Sequence, residues 1–380
     1  MKALFLIFHG FESFNGISKK IGYQKEALEQ CGVNTQLCFL DIDDKGFTKR
    51  MIDKDVLENY GNGFFSKIKK RTNYSGLYKY IINNHFDFIY IRSYHNASPF
   101  LINFIKKLKY SGIKTIMEIP TFPYDQEYKM LSRQDHLRLF IDKIYRNKLA
   151  KYLYKIVTFS DDDKIFGAST IKISNGIDFE QIKIKSFREK NPNCINLIGV
   201  AEIHFWHGFD RLIKGLANYY QKEQKVKVVF NIVGYGDPEE IGLLKNLITK
   251  NHLESYVYLP GPKSGKELDE QFEKADFGIA SLARHRSGIT FMKSLKNREY
   301  AARGIPFIYS ETDVNFEKMP YIIKAPANET PIDIGKIIKF YYSHSFDPTE
   351  IRNSIFPDLS WKEQMQKVVN NIIPPQKKIC

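Results

Sequence analysis

Cysteine is scarce: four in 380 residues (Cys31, Cys38, Cys194 and Cys380), with no CxxC pair and no dense framework. Such spacing argues against a structural zinc site and a disulfide-stapled fold, and it fits a reducing compartment, the cytoplasm. Long apolar runs are missing too. No window approaches the roughly 18 unbroken apolar residues of a membrane span. The opening "MKALFLIFHG" runs into His9 and Gly10 without a small-residue cleavage site, so it reads as a strand rather than a signal peptide. There is no low-complexity segment and no short internal repeat.

What is there suffices for two cores. Hydrophobic residues make up 43% of the chain, and this length predicts two domains of about 150 to 200 residues each. The formal charge of +14 is unevenly shared, with +11 on residues 1–190 and +3 on residues 191–380. The first half therefore suits an acidic neighbour: an anionic membrane surface, a phosphate-bearing substrate or nucleic acid.

Short apolar runs alternate with amphipathic ones, the pattern of β-α units on a parallel sheet. Strands are predicted at "ALFLIF" and from Thr35, Phe86, Ile113, Lys155 and Thr170, with helices over 17–30, 99–110 and 134–154. After "SNGIDFE" the pattern loosens into a charged run, and then the cycle restarts. Strands "CINLIGV", "VKVVFNIVG", "YVYLPG", "FGIASL" and "IPFIYS" alternate with helices over 208–220, 239–251, 267–275 and 293–303. The tail from Leu359 to Ile372 reads as a last amphipathic helix with Ser360 as its N-cap. Two Rossmann-like halves follow, divided as 1–178, a linker at 179–190, 191–357, and a C-terminal helix and tail at 358–380, with a ligand cleft expected between the halves.

The stretch "SLKNREYAARGIPFIYS" from Ser294 is the most informative. A helix ends at Gly304 and Pro306 forces a turn into the next strand, leaving Lys296, Arg298 and Glu299 near the carboxyl end of "FGIASL". In an open α/β sheet that edge is the ligand crevice, where a carboxylate can hold ribose hydroxyls and a lysine or free backbone N–H groups can hold phosphate. The same charges also fit a solvated helix with local Lys–Glu pairing.

"REYAARGIPFI" resembles the signature that closes the nucleotide-sugar site of retaining glycosyltransferases of GT-B fold, family 4. The pieces "GISKKIGYQKEALEQCGVNT", "ISNGID", "WHGFDRLIKGL", "FNIVGYG", "VYLPGPKSGKELDEQFEKADFGIASL" and "LSWKEQMQKV" line up with the same family in order, over nearly the whole chain. The resemblance implies an α/β GT-B fold, two Rossmann-like domains facing across a cleft, with a C-terminal helix crossing back to the N-terminal domain. It implies a transferase moving a sugar from a nucleotide-sugar, a UDP-sugar in preference to a GDP-sugar, to a saccharide or a polyprenyl-diphosphate-linked acceptor in cell-surface polysaccharide biosynthesis. Glu299 falls on the ribose-binding glutamate, Gly16 on the N-terminal glycine loop and Gly234 on the G-x-G loop near the nucleotide.

The departures are specific. The family's second glutamate is replaced by Phe291, or by His285 if Gly288 is taken as the glycine of its turn, and the diphosphate-clamping Arg and Lys fall on Ala201 and His207. Arg286, Lys293 or Lys296 is expected to supply the missing positive charge. A binding protein of the same fold without transfer activity is the alternative reading, and a nicotinamide enzyme is disfavoured because no G-x-G-x-x-G follows the first strand.

In the first half, His95 and Glu118 sit at predicted strand ends and are the candidates to meet an incoming hydroxyl; an ordinary loop histidine is the other reading of His95. "DIDD" at 41–44 and "DDD" at 161–163 could hold a cation but fit exposed loops, and no metal is expected. The basic, aromatic segments from Phe64 and from Lys143 suit an anionic membrane leaflet, a solvated helix face or RNA. No nucleic-acid motif accompanies them, so peripheral attachment to the inner face of the plasma membrane is the expectation. Lys67, Lys69, Lys70 and Arg71 are its named cations.

Overall fold

The computed structural model describes residues 1–11, 16–125 and 133–372. By internal contacts the chain divides into two units, one of Met1–Ser174 with the last helix and one of Asn175–Ser360.

The first unit holds strands β1 (Lys2–Leu6), β2 (Asn34–Ile42), β3 (Thr48–Ile52), β4 (Asp55–Gly61), β5 (Phe88–Arg92), β6 (Lys114–Ile119), β7 (Lys155–Thr158), β8 (Lys164–Ile165) and β9 (Ala168–Lys172). They form one sheet in the order β4-β3-β2-β1-β5-β6-β7-β9-β8. Its centre is parallel, while β3, β4 and β8 are joined antiparallel at its edges. Helices α1 (Gly16–Gln30), α2 (Gly63–Thr72), α3 (Ser75–Asn83), α4 (Pro99–Tyr110) and α5 (Arg133–Ala150) complete the elements up to residue 174. Alternate residues of β1 separate the two layers. Leu4 and Leu6 pack with Leu77 of α3, Leu101 and Ile105 of α4 and Leu139 and Leu149 of α5. Ala3 and Phe5 pack on the other face with Ile21 and Leu28 of α1. This two-residue period is the strand geometry itself.

The second unit carries a six-stranded, all-parallel sheet of β10 (Cys194–Ile203), β11 (Lys227–Gly236), β12 (Val257–Gly261), β13 (Phe277–Ile279), β14 (Phe307–Tyr309) and β15 (Ile322–Lys324), ordered β12-β11-β10-β13-β14-β15. Helices α6 (Phe209–Tyr220), α7 (Pro238–Lys250), α8 (Gly265–Lys274), α9 (Leu295–Arg303), α10 (Ile334–Ser343) and α11 (Pro348–Asn353) accompany it. The chain builds outward from β10 to β12 and then resumes on the other side of β10 with β13. That reversal makes the β10/β13 edge the topological switch point, where open α/β sheets bind ligands. Residues 179–190 lie against this unit: Arg352 donates to the carbonyls of Phe179 and Ile182, and the Lys185 amide to that of Arg303.

The last helix, α12 (Trp361–Ile372), belongs to the first unit and packs on α1. Buried Trp361, Met365, Val368 and Val369 join the core beside α1. Lys114 Nζ donates to Ile372 O at 2.6 Å, and the Ser174 amide to Gln364 Oε1 at 2.7 Å. Cys380 lies outside the described residues. Among the described residues no helix is long and apolar enough to cross a membrane.

Candidate functional site

Four strand ends of the second unit converge at the switch point. After β10 the chain makes a 3-10 turn at Phe205–His207 and enters α6 through Gly208. After β13 a second such turn, Arg284–Ser287, closes at Gly288, whose amide donates to His285 O at 3.0 Å. The turns are tied together, the Leu282 amide donating to His207 O at 2.9 Å and the Ala283 amide to Trp206 O at 3.3 Å. Gly208 must be glycine on two counts: its φ is +65°, and a Cβ would stand 2.8 Å from that of Ala283. Gly234 is fixed as firmly. It pairs with Ala201 across β10 and β11, and a Cβ there would lie 1.8 Å from Ala201 O. Strand-to-strand approach is therefore enough to require this glycine.

The three charges of α9 have three different destinations. Lys296, in the first turn, places Nζ 3.0 Å from His207 Nε2 and forms no ion pair among the described residues. Burial, with Arg284 beside it, lowers the Lys296 pKa to about 8. Burial and the Lys296 and Arg284 charges push the His207 pKa well below the ordinary histidine value, so the imidazole is neutral at pH 7. Arg298 turns inward and is fully buried. Its guanidinium grips Asp313 at 2.7 and 3.2 Å and Asn315 at 2.6 Å. Asp313 also accepts from the Ser294 amide and from Asn297 Nδ2, so Arg298 acts through a carboxylate that ties down the start of α9. Glu299 is half-buried and accepts Arg303 Nε and Nη2 on Oε1 at 3.2 and 3.1 Å, while Oε2 accepts no hydrogen bond among the described residues.

Of the cations expected to clamp a diphosphate, Arg286 is spent on two carboxylates, Asp210 at 2.8 Å and Glu329 at 2.5 Å. The bonds from Arg286, helped by His285, depress the Glu329 pKa to about 2. Lys293 is buried with Nζ 5.9 Å from the Phe291 ring centroid. Phe291 pairs with Thr312, and His285 Nε2 lies 2.6 Å from Glu329 Oε1. Among the described residues Lys296 has no carboxylate at bonding distance, in contrast to Arg286.

Arg284, Glu311 and Asp313 are features of this edge that sequence reasoning did not name. Glu311 follows β14 and is 2% exposed, and among the described residues neither carboxyl oxygen has a hydrogen-bond partner. Burial raises its pKa to about 7, against the pull of Arg284. The signal was present in "YSETD": two carboxylates directly after a predicted strand.

In the first unit, Glu118 is fully buried at the end of β6. It accepts Gln24 Nε2 at 2.6 Å, the Tyr90 hydroxyl at 2.7 Å and Arg92 at 2.5 Å, and Lys20 Nζ stands 3.8 Å away. Burial works to raise its pKa, but Lys20, Arg92 and the hydrogen bonds outweigh it and keep the group ionised. The geometry is that of a carboxylate organising α1, β5 and β6. His95 follows β5 with φ +49°, stacked at 3.8 Å on Tyr124, whose hydroxyl donates to Asp142 at 2.5 Å. Burial and the nearby Arg138, Arg146 and Arg92 lower the His95 pKa to about 4. Gly16 is the first residue of α1, and residues 12–15 before it lie outside the described residues.

Of the acidic loops, Asp43 accepts its own loop amides from Lys45 and Phe47 and pairs with Lys49, while Asp163 pairs with Lys172. Among the described residues no group of three His, Cys, Asp or Glu side chains is arranged to hold a metal ion.

No family model matches the chain, and no curated protein matches it in sequence. Solved structures match its fold. A glycosyltransferase from Rickettsia africae aligns over 98% of this chain and 97% of its own, with TM-score 0.65 and 12% identity. The lipopolysaccharide outer core galactosyltransferase WaaB, in its apo form, aligns over 98% and 99% with TM-score 0.61 and 13% identity. HepE of Anabaena, in complex with UDP-glucose, aligns over 98% and 100% with TM-score 0.59 and 14% identity. What the chain shares with them at these identities is the architecture: two Rossmann-like α/β domains on parallel sheets, with the last helix on α1, the GT-B fold.

Proposed function

We propose that the chain is a glycosyltransferase that moves a sugar from a nucleotide-sugar, a UDP-sugar in preference to a GDP-sugar, to a saccharide or lipid-linked saccharide, with retention of configuration and without a metal, in cell-surface polysaccharide biosynthesis. The observation that carries the reading is Lys296, a cation that pairs with no carboxylate among the described residues, on the first turn of α9 at the switch point of the second sheet. Cleaving a sugar–phosphate bond leaves growing negative charge on a diphosphate, and a site for it needs cations and free helix N–H groups at that spot. Lys296 and the N-terminus of α6 behind Gly208 supply both. Glu299, with Oε2 unengaged, is the candidate for the ribose hydroxyls. A structural neighbour bound to UDP-glucose supports the choice of donor.

The first unit takes the acceptor in this reading. Its charge suits a phosphate-bearing chain, and His95, neutral at pH 7, stands at the carboxyl edge of its sheet. The deciding experiment is a thermal-shift screen of UDP, GDP, ADP and CMP with their common sugars, followed by a nucleotide-release assay with the donor that binds. Binding with donor-specific release supports a transferase. Binding with no release for any donor and acceptor points to the inactive binding protein, and no shift with any nucleotide overturns the reading.

A further inference from the structure

In the second unit, buried side-chain polar atoms that no hydrogen bond reaches among the described residues gather at one place. They are Ser281 Oγ, His285 Nδ1, Asn297 Oδ1 and both carboxyl oxygens of Glu311. Ser281 follows β13, His285 lies in the 3-10 turn after it, Asn297 is the third residue of α9 and Glu311 follows β14. All four sit at the carboxyl ends of the two strands on one side of the switch point. The frame around them is bonded: the Ser310 amide donates to Ser281 O at 2.9 Å, and Asn297 Nδ2 to Asp313, two residues beyond Glu311, at 3.1 Å.

Folded chains bond roughly 90% or more of their buried polar groups, because an orphaned group has given up its hydration for nothing. Several orphans at one strand edge, the edge where an open α/β sheet binds its ligand, point to a bound group that supplies their partners.

Donors are what this edge is short of. Glu311 offers two acceptor oxygens and Asn297 one, its amide being turned to Asp313. A phosphate brings acceptors alone, so it suits Lys296 and the start of α6 and none of these oxygens. A cation is ill-suited, because Lys296 and Arg284 both stand near enough to act on Glu311. Hydroxyls donate and accept at once. With its pKa at about 7, the Glu311 carboxyl carries its proton part of the time at neutral pH and answers a hydroxyl in either sense. A nucleotide-sugar bears hydroxyls on its ribose and on its sugar, at opposite ends of the diphosphate. Glu299 is the candidate for the ribose, which leaves the sugar for Glu311.

Glu311 is 2% exposed, but no hydrogen bond among the described residues holds its carboxyl. Turning the side chain about its own torsions to meet a ligand therefore breaks none.

We infer that Glu311, with Asn297 and Ser281 on the same edge, hydrogen-bonds hydroxyls of the sugar being transferred and so sets which sugar the site accepts. The inference rests on the transferase reading, which stands on Lys296 and Glu299, and adds to it the part of the donor beyond the diphosphate.

Calorimetry on the full chain at pH 7 compares UDP, UDP-glucose, UDP-galactose, UDP-N-acetylglucosamine, GDP and GDP-mannose for wild type, Glu311→Gln and Glu311→Leu. For the nucleotide-sugar that wild type binds, Glu311→Leu is expected to weaken affinity by about tenfold or more and Glu311→Gln by less, while the matching nucleoside diphosphate stays within about twofold. Taking the contacted hydroxyl off the sugar should cost wild type a similar factor and Glu311→Leu nothing further. Leucine fills a similar volume without a polar group, so the fold is kept. An equal loss for nucleotide and nucleotide-sugar, or no loss for either, overturns the inference and leaves the transferase reading standing. A wild-type chain that binds no member of the panel overturns both.

Discussion

Lys296 Nζ approaches His207 Nε2 to 3.0 Å, bringing the first turn of α9 onto the 3-10 turn that leads into α6. The imidazole is neutral, so it accepts from the ammonium without cancelling its charge. A cation is thereby held in place at a strand edge by a partner that leaves it electrostatically available.

The first prediction follows from its pKa of about 8. Below pH 8 the ammonium is present, and above it the charge is lost, so affinity for a nucleoside diphosphate falls as pH rises from 7 to 9. A bound diphosphate raises the Lys296 pKa, and binding above pH 8 takes up a proton. Calorimetry in buffers of different ionisation heat measures both effects. Lys296→Met should weaken binding by about 10- to 100-fold, as for a charged hydrogen bond, and flatten the pH dependence. An unaltered slope in the variant would remove Lys296 from the site.

Glu299 and its neighbour Arg298 are predicted to separate in their effects. Glu299→Ala removes a half-exposed pair with Arg303, which keeps Asp269 at 2.9 Å, so the stability cost is small, about 0 to 1 kcal/mol. Nucleotide affinity should fall by about tenfold or more if Oε2 meets the ribose. Equal affinity of wild type and variant for every nucleoside diphosphate would refute that role.

Arg298→Ala should behave the other way. It leaves Asp313 as a buried carboxylate without its main partner, a change that costs about 3–5 kcal/mol. Chemical denaturation should show the loss directly, in the transition that reports the second unit. Arg298→Lys should recover only part of it, since a single ammonium cannot reproduce contacts to both Asp313 oxygens and to Asn315.

The contrast between these two neighbours shows what the sequence could and could not convey. Strands such as "CINLIGV" and helices such as Pro99–Tyr110 were legible because buried strands are apolar runs and docked helices carry a 3.6-residue apolar period. The β3–β4 hairpin was not: "TKRMI" and "DVLENYG" are half polar because they lie at the sheet edge, and their turn at Asp53 has φ +49° without glycine. Elements β15, α10 and α11 also escaped notice, being short or carrying no punctuating signature. Within the site, "LKNREYAAR" placed Lys296, Arg298 and Glu299 on one helix near one strand end. Which of them faces the ligand edge depends on Asp313 and His207, which are 15 and 89 positions away in the chain and invisible to local pattern.

Glu311 gives the last prediction, and its sign is opposite to that of an ordinary ion-paired carboxylate. Its folded-state pKa is about 7, against an ordinary value of 4.5, because burial disfavours the charged form. Below pH 4.5 the group is protonated in both folded and unfolded chains and contributes nothing to the pH dependence. Between about pH 4.5 and 7 the unfolded chain ionises while the folded one stays neutral, so stability drains away as pH rises, and above 7 the full loss remains. A separation of this size corresponds to a loss on the order of 3 kcal/mol. Glu311→Gln cannot ionise, so its stability relative to wild type should climb across that window and level off near pH 8. Urea unfolding of both proteins at pH 4.5, 6 and 8 measures the difference. A gap that stays constant with pH would mean that Glu311 is ionised in the folded chain at pH 6 and has a partner there.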